Sequence, residues 1–199
     1  MFHRRLIFRP LAGKGPALRD LLAARTLPGR WNLSERLAGP QPEFRVQLFY
    51  DSLTDLQQAL EAARSQQPRA DLGSLVAAAP ALELEEVLTP VPPGPPPNYV
   101  SRVVYEYAPG KLHELRALLD ELMQRRSAAG GRSNLTVRVS GGAPALSMAG
   151  FYQDLGALEA TRAQALADPA GAERLQRIAA LLARPFALPD IYWIVARSA

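Results

Sequence analysis

Apolar and polar residues alternate along several short runs of this chain. From residue 134 the order Asn-Leu-Thr-Val-Arg-Val puts Leu135, Val137 and Val139 on one side and Asn134, Thr136 and Arg138 on the other. A period of two is the mark of a half-buried strand. Similar β-rich runs cover 4–9, 44–50 and 82–89, and again 101–107, 146–152 and 191–197. Elsewhere the spacing changes to three and four. Leu112, Leu115, Leu118, Leu119 and Leu122 fall on one face of a helix, as do Leu18, Leu21 and Leu22. Further helices are predicted over 53–64, 155–167 and 169–183, with Asp51 or Ser52, Asp154 and Asp168 placed to cap them.

The prolines of 90–97 interrupt this order near the middle of the chain. Stacked prolines suit neither a helix interior nor a central strand, and favour an extended spacer. The stretches on either side of it align. Arg5-Leu6-Ile7-Phe8 matches Arg102-Val103-Val104-Tyr105, and Gly13-Lys14 matches Gly110-Lys111. Asn32-Leu33 matches Asn134-Leu135, Arg36, Gly39 and Pro42 match Arg138, Gly141 and Pro144, and Phe49-Tyr50 matches Phe151-Tyr152. The offset grows only from 97 (Arg5 to Arg102) to 106 (Ala81 to Ala187), through short insertions at loops. The chain therefore reads as a tandem duplication: residues 1–90, a linker over 91–98, and residues 99–199.

Each copy has the order β-α-β-β-α-β, the ferredoxin-like arrangement. The right-handed crossover rule puts both helices on one face of an antiparallel sheet and leaves the other face bare. The expected fold is thus α+β, with two ferredoxin-like repeats packed sheet to sheet as a pseudo-dimer.

Composition narrows the chemistry. The chain has 199 residues, 48% of them hydrophobic, and a net charge of +4 carried almost wholly by arginine. Its basic residues are scattered among acidic ones, so no nucleic-acid partner is expected. There is no cysteine and there are two histidines, His3 and His113. Disulfides, thiolate metal sites and a cysteine nucleophile are excluded, and no metal or cofactor is expected. No run approaches the roughly 20 apolar residues of a membrane helix, and no signal peptide is evident, so the expectation is a cytoplasmic protein without a membrane partner.

The stretch Val104-Tyr105-Glu106-Tyr107-Ala108-Pro109-Gly110-Lys111 resembles the opening strand and turn of NIPSNAP-like proteins. Phe49-Tyr50-Asp51-Ser52-Leu53 and Ala167-Asp168-Pro169 resemble two further segments of that family. The first copy departs from it, with Leu-Ala-Gly-Lys at its turn and Gln66-Gln67-Pro68 where Ala-Asp-Pro would stand. The resemblance implies the dimeric α/β-barrel superfamily, whose members include cofactor-free monooxygenases and haem-degrading enzymes, so it does not fix an activity.

No catalytic triad, phosphate loop or paired metal carboxylates can be assembled from the sequence. Gly13-Lys14-Gly15 lacks the spacing of a P-loop, and its repetition as Gly110-Lys111 marks a turn entering a helix. His113 lies off the leucine stripe and should face solvent. His3 should lie at the surface ahead of the first strand. Leu6, Phe8, Phe44, Val46 and Leu48 should pack under helices. The opposite set would face the space between sheets: Arg5, Arg9, Arg45, Gln47 and Phe49 from the first copy, and Arg102, Glu106, Ser147 and Phe151 with Trp193 from the second. Either these groups neutralise one another as a buried network, or they orient a small, partly apolar ligand. Three functions stay open: a NIPSNAP-like ligand binder, a cofactor-independent monooxygenase of an aromatic or polyketide-like substrate, and an assembly module without ligand. Besides a ligand, a second copy of the chain is an open partner.

Overall fold

The computed structural model describes residues 1–25, 27–38, 41–64, 70–185 and 187–198. Gly39 and the 66–68 segment lie outside them. Among the described residues the chain forms eight strands and six helices, an α+β fold. The elements are β1 (Phe2–Phe8), α1 (Gly15–Ala23), β2 (Arg30–Ala38), β3 (Phe44–Tyr50), α2 (Leu53–Arg64), α3 (Ala70–Gly73) and β4 (Ala81–Thr89). They continue as β5 (Tyr99–Glu106), α4 (Leu112–Ala128), β6 (Arg132–Ser140), β7 (Ala145–Tyr152), α5 (Leu155–Ala167), α6 (Gly171–Ala179) and β8 (Asp190–Arg197). The chain divides into two compact units. Unit 1 holds Met1–Glu86, Val139–Gly141 and Tyr192–Ala199; unit 2 holds Val87–Arg138 and Gly142–Ile191.

In unit 1, β1 lies antiparallel between β3 and β4, and β2 pairs with the far edge of β3. The residues of even number on β1 and β3 carry the core. Phe8, Phe44, Val46, Leu48 and Leu33 of the sheet meet Leu18 and Leu22 of α1 and Leu56 of α2. The predicted helix-facing set is therefore found under the helices. Helix α1 enters from Gly13, whose φ of 73° suits a residue without a Cβ, and Gly110 repeats the turn at 76° before α4. Ser52 caps α2 reciprocally with Asp55: its Oγ accepts from Asp55 N at 3.1 Å while its own N–H donates to Asp55 Oδ2 at 3.0 Å.

In unit 2, β7 lies antiparallel between β5 and β6. Leu115, Leu118, Leu119 and Met123 of α4 pack on Tyr105, Leu135, Leu146 and Met148, with Ile178 of α6. Burying each such side chain contributes roughly 1.5–3 kcal/mol. Helix α5 starts at Asp154, whose Oδ1 accepts from Ala157 N at 2.8 Å. Helix α6 begins at Gly171, two residues later than the sequence suggests. Asp168 turns the chain into it, accepting from Ala170 N at 3.0 Å and pairing with Arg174. The proline segment is anchored rather than loose: Arg132 donates to the carbonyl oxygens of Pro92 and Pro95, and Gln153 donates to that of Pro96.

Candidate functional site

Two regions gather polar groups. The first is the face of unit 1 turned away from its helices. Arg5, 4% exposed, pairs with the fully buried Glu85 and lies 3.8 Å from Glu83. Its Nε reaches Gln47 Oε1 at 3.5 Å, and Gln47 Nε2 meets His3 Nδ1 at 3.0 Å. His3 stands edge-on to Phe49, ring centroids 4.9 Å apart. A second knot forms round Glu43: Arg45 donates to its Oε1 at 2.6 Å, Arg36 Nη2 lies 3.1 Å away, and the Tyr192 hydroxyl donates to it at 3.2 Å. Arg45 also stacks over the Tyr192 ring, 4.2 Å from its centroid. These groups satisfy each other, which is what burial demands of charge.

Three expectations need correction here. His3 is not a surface residue; β1 already begins at Phe2, so His3 shares the buried face with Arg5. Arg9 lies beyond the end of β1 and is exposed, its Nε 3.9 Å from Glu43. Trp193 is 37% exposed and points to the opposite side of β8 from Tyr192, the aromatic residue that does join the polar face. Sequence reading missed Glu43 and Tyr192. The alternation of β3, carried one residue ahead of Phe44, was the signal for Glu43, and the other register of β8 was the signal for Tyr192.

Among the described residues, the corresponding face of unit 2 carries a single buried cation, Arg102, where unit 1 has its ion pairs. Arg102 donates to Ser147 Oγ at 2.9 Å, among the buried Asn134 and Thr136. Glu106 sits at the strand end, 3.7 Å from the exposed Arg184, and Phe151 is half-buried. His113 is exposed on α4, as its place on the helix requires.

The second region lies on the helix side of unit 2. A cavity of about 390 Å³ opens between β5 and β7 and helices α4, α5 and α6. Val103, Leu122, Met148, Leu175 and Ile178 give it apolar walls. Arg126 and Tyr152 provide its inner polar group: Arg126 Nη2 donates to the Tyr152 hydroxyl at 2.6 Å, and its guanidinium carbon lies 6.0 Å from the ring centroid. Arg126 Nε is buried without a hydrogen-bond partner, and no carboxylate pairs with this cation among the described residues. Room for the pair comes from Gly150. A Cβ there would stand 2.5 Å from Arg126 Nη2 and 2.8 Å from Tyr152 Oη. The field of Arg126 also reaches Tyr105, whose phenol is nonetheless pushed up to about 12 by burial. At the cavity edge the Asp168 carboxyl is held below its ordinary value, first by the hydrogen bond from Arg174 and then by that from Ala170 N–H. Sequence reading named neither Arg126 nor Tyr152 as a site residue.

Among the described residues no three His, Cys, Asp or Glu side chains gather to hold a metal, and no helix is long and apolar enough to cross a membrane. No protein-family model matches the sequence, and no curated protein does. Solved structures are similar along nearly the whole chain. An anthrone oxidase-like protein shares 17% identity at a TM-score of 0.70, over 99% of this chain and 92% of that one. A Fusobacterium nucleatum protein named as a monooxygenase shares 8% at 0.74, over 99% and 93%. A haem-binding protein of Thermus thermophilus shares 14% at 0.51, over 97% and 90%. The likeness is one of fold: an α+β architecture similar to that of dimeric α/β-barrel proteins. The donors present do not fit a haem ligated by His or Cys. The chain has no cysteine, His113 is exposed, His3 is packed on Gln47 and Phe49, and neither histidine lines the unit 2 cavity.

Proposed function

We propose that this protein is a cofactor-independent monooxygenase whose substrate, a planar phenolic or anthrone-type molecule, occupies the unit 2 cavity. The observation that carries the reading is Arg126: a cation at an apolar cavity, hydrogen-bonded to a phenol and balanced by no carboxylate among the described residues. The names of the anthrone oxidase-like and monooxygenase neighbours support the same chemistry. An activated CH2 between aromatic rings loses a proton to solvent through the cavity mouth, and Arg126 stabilises the resulting anion. Asp168, already held ionised by Arg174, is a poor base for this step. The anion is itself the reductant. It adds O2 at carbon to give a peroxide anion, which takes up a proton and eliminates water. The sum is CH2 + O2 → C=O + H2O, with substrate carbon oxidised and dioxygen reduced.

The test is oxygen uptake with anthrone. The native protein is expected to accelerate it, and Arg126→Gln to lose about 100-fold, the usual scale for one electrostatic donor, with melting unchanged. No acceleration by the native protein, or equal rates in both, would overturn the proposal.

A second reading draws on the NIPSNAP-like Tyr105–Lys111 segment and on the paired charges of unit 1: ligand binding without chemistry. It predicts binding of the same aromatic molecule with no oxygen consumed. Under either reading we infer that the chain is a tandem duplication, with Pro-rich linker 91–98 joining its copies. Support comes from the twin glycine turns and from matching bridges, Pro10 to Val76 and Tyr107 to Leu182, which clamp the end of each first strand.

A further inference from the structure

The cations around the unit 2 cavity outnumber its carboxylates. Arg125, Arg126, Arg162 and Arg174 line it, against Asp168 alone. Two of the four are neutralised locally: Arg174 by Asp168, and Arg125 by Glu121 on the same helix at 2.9 Å. The other two are not. Arg126 is half-buried, and among the described residues its side chain hydrogen-bonds only the Tyr152 phenol. Arg162, on α5, is exposed at the cavity edge and forms no ion pair among the described residues, not even with Glu159 one turn away on its own helix. One of the two cations is therefore half-buried and the other exposed, and both line a cavity whose other walls include Leu122, Leu175 and Ile178.

Resting on the functional reading above, we propose that the substrate is an aryl acid: a weakly acidic phenol or anthrone core seated at Arg126, carrying a carboxylate that meets Arg162 at the mouth. A charge-assisted contact at an exposed rim gains modest energy and is screened by salt. It also steers an anion toward the cavity, so the benefit should fall mainly on KM and on association. The two arginines thus have separable duties, Arg126 acting on the reacting atoms and Arg162 on orientation.

The experiment compares three probes on the intact protein by oxygen uptake: anthrone, an anthrone ring carboxylate and the methyl ester of that carboxylate. The carboxylate is expected to show a KM about 5–10-fold below that of the ester at low salt, with kcat unchanged and the advantage shrinking in 0.5 M salt. Arg162→Gln should raise KM for the carboxylate to that of the ester, a larger change than any it makes in KM for anthrone. Equal KM for acid and ester, with anthrone still oxidised, would overturn this inference and leave the proposed activity standing. Failure to oxidise any of the three would remove both. Should Arg162→Gln fold poorly, Arg162→Lys, which keeps the charge, is expected to retain most of the acid's advantage, and its loss there would count against a rim contact.

Discussion

Units 1 and 2 set similar sheets under helices, yet they handle buried polarity in opposite ways. Unit 1 seals its helix side with Phe8, Phe44, Leu18 and Leu22, and places paired charges on the other face, Arg5 with Glu85 and Arg45 with Glu43. Unit 2 buries one cation on that face, Arg102, bonded to Ser147, with the neutral Asn134 and Thr136 buried there too. It opens its helix side instead and leaves Arg126 there without a carboxylate among the described residues. Helix length explains part of the divergence. Helix α1 has 9 residues and α4 has 17, and the longer helix carries Arg126 to the Tyr152 hydroxyl. A satisfied ion pair holds structure, and an unsatisfied cation at an apolar cavity is free to hold a ligand.

The contrast can be broken most forcefully in unit 1. Glu85→Ala removes the nearest carboxylate from a guanidinium only 4% exposed, and should cost about 3–5 kcal/mol in chemical unfolding. A loss below 1 kcal/mol would mean that the charged face is not structural. In unit 2, Arg126→Gln should leave stability within about 0.5 kcal/mol and act on turnover instead.

Alkaline pH probes unit 2 next. Unfolded, the Tyr105 phenol ionises near 10; folded, near 12. Between those values the unfolded chain releases a proton that the folded chain keeps, so stability falls as pH rises through the window, by up to about 2–3 kcal/mol. Tyr105→Phe should abolish that slope in unfolding curves taken from pH 9 to 12. Gly150→Ala ranks below it: the added methyl collides with Arg126 and Tyr152, and should destabilise by roughly 1–3 kcal/mol while displacing the pair. A variant as stable and active as the native protein would show that the pair is mobile. Smallest is Ser147→Ala, which deletes one hydrogen bond to Arg102 for about 1–2 kcal/mol, well under the Glu85 loss.

How far the chain could be read in advance follows from what each feature depends on. Strand β3 matches its expected span, 44–50, because a period-two pattern between turn residues is local information. So is the leucine stripe of α4. Tyr192 in place of Trp193 was a matter of one residue in register, and a slip of one exchanges the two faces of a strand. His3 was expected outside the first strand because the β-rich run was read from Arg4, whereas β1 already begins at Phe2. The cavity was not legible at all. It depends on where α5 and α6 lie over the sheet, set by the Asp168–Arg174 turn, and on the space left by Gly150. Such distances come from packing rather than from periodicity. Arg126 and Tyr152 are 26 positions apart and belong to different elements.

The central claim is that the helix side of unit 2, not the charged face of unit 1, receives the ligand. A crystal structure of the protein soaked with an anthrone analogue tests it most directly. The account predicts ordered density in the cavity, with a ligand oxygen within hydrogen-bond distance of Arg126 and its rings against Met148 and Ile178. Density lodged instead against Arg5 and Gln47, with the unit 2 cavity empty, would contradict it.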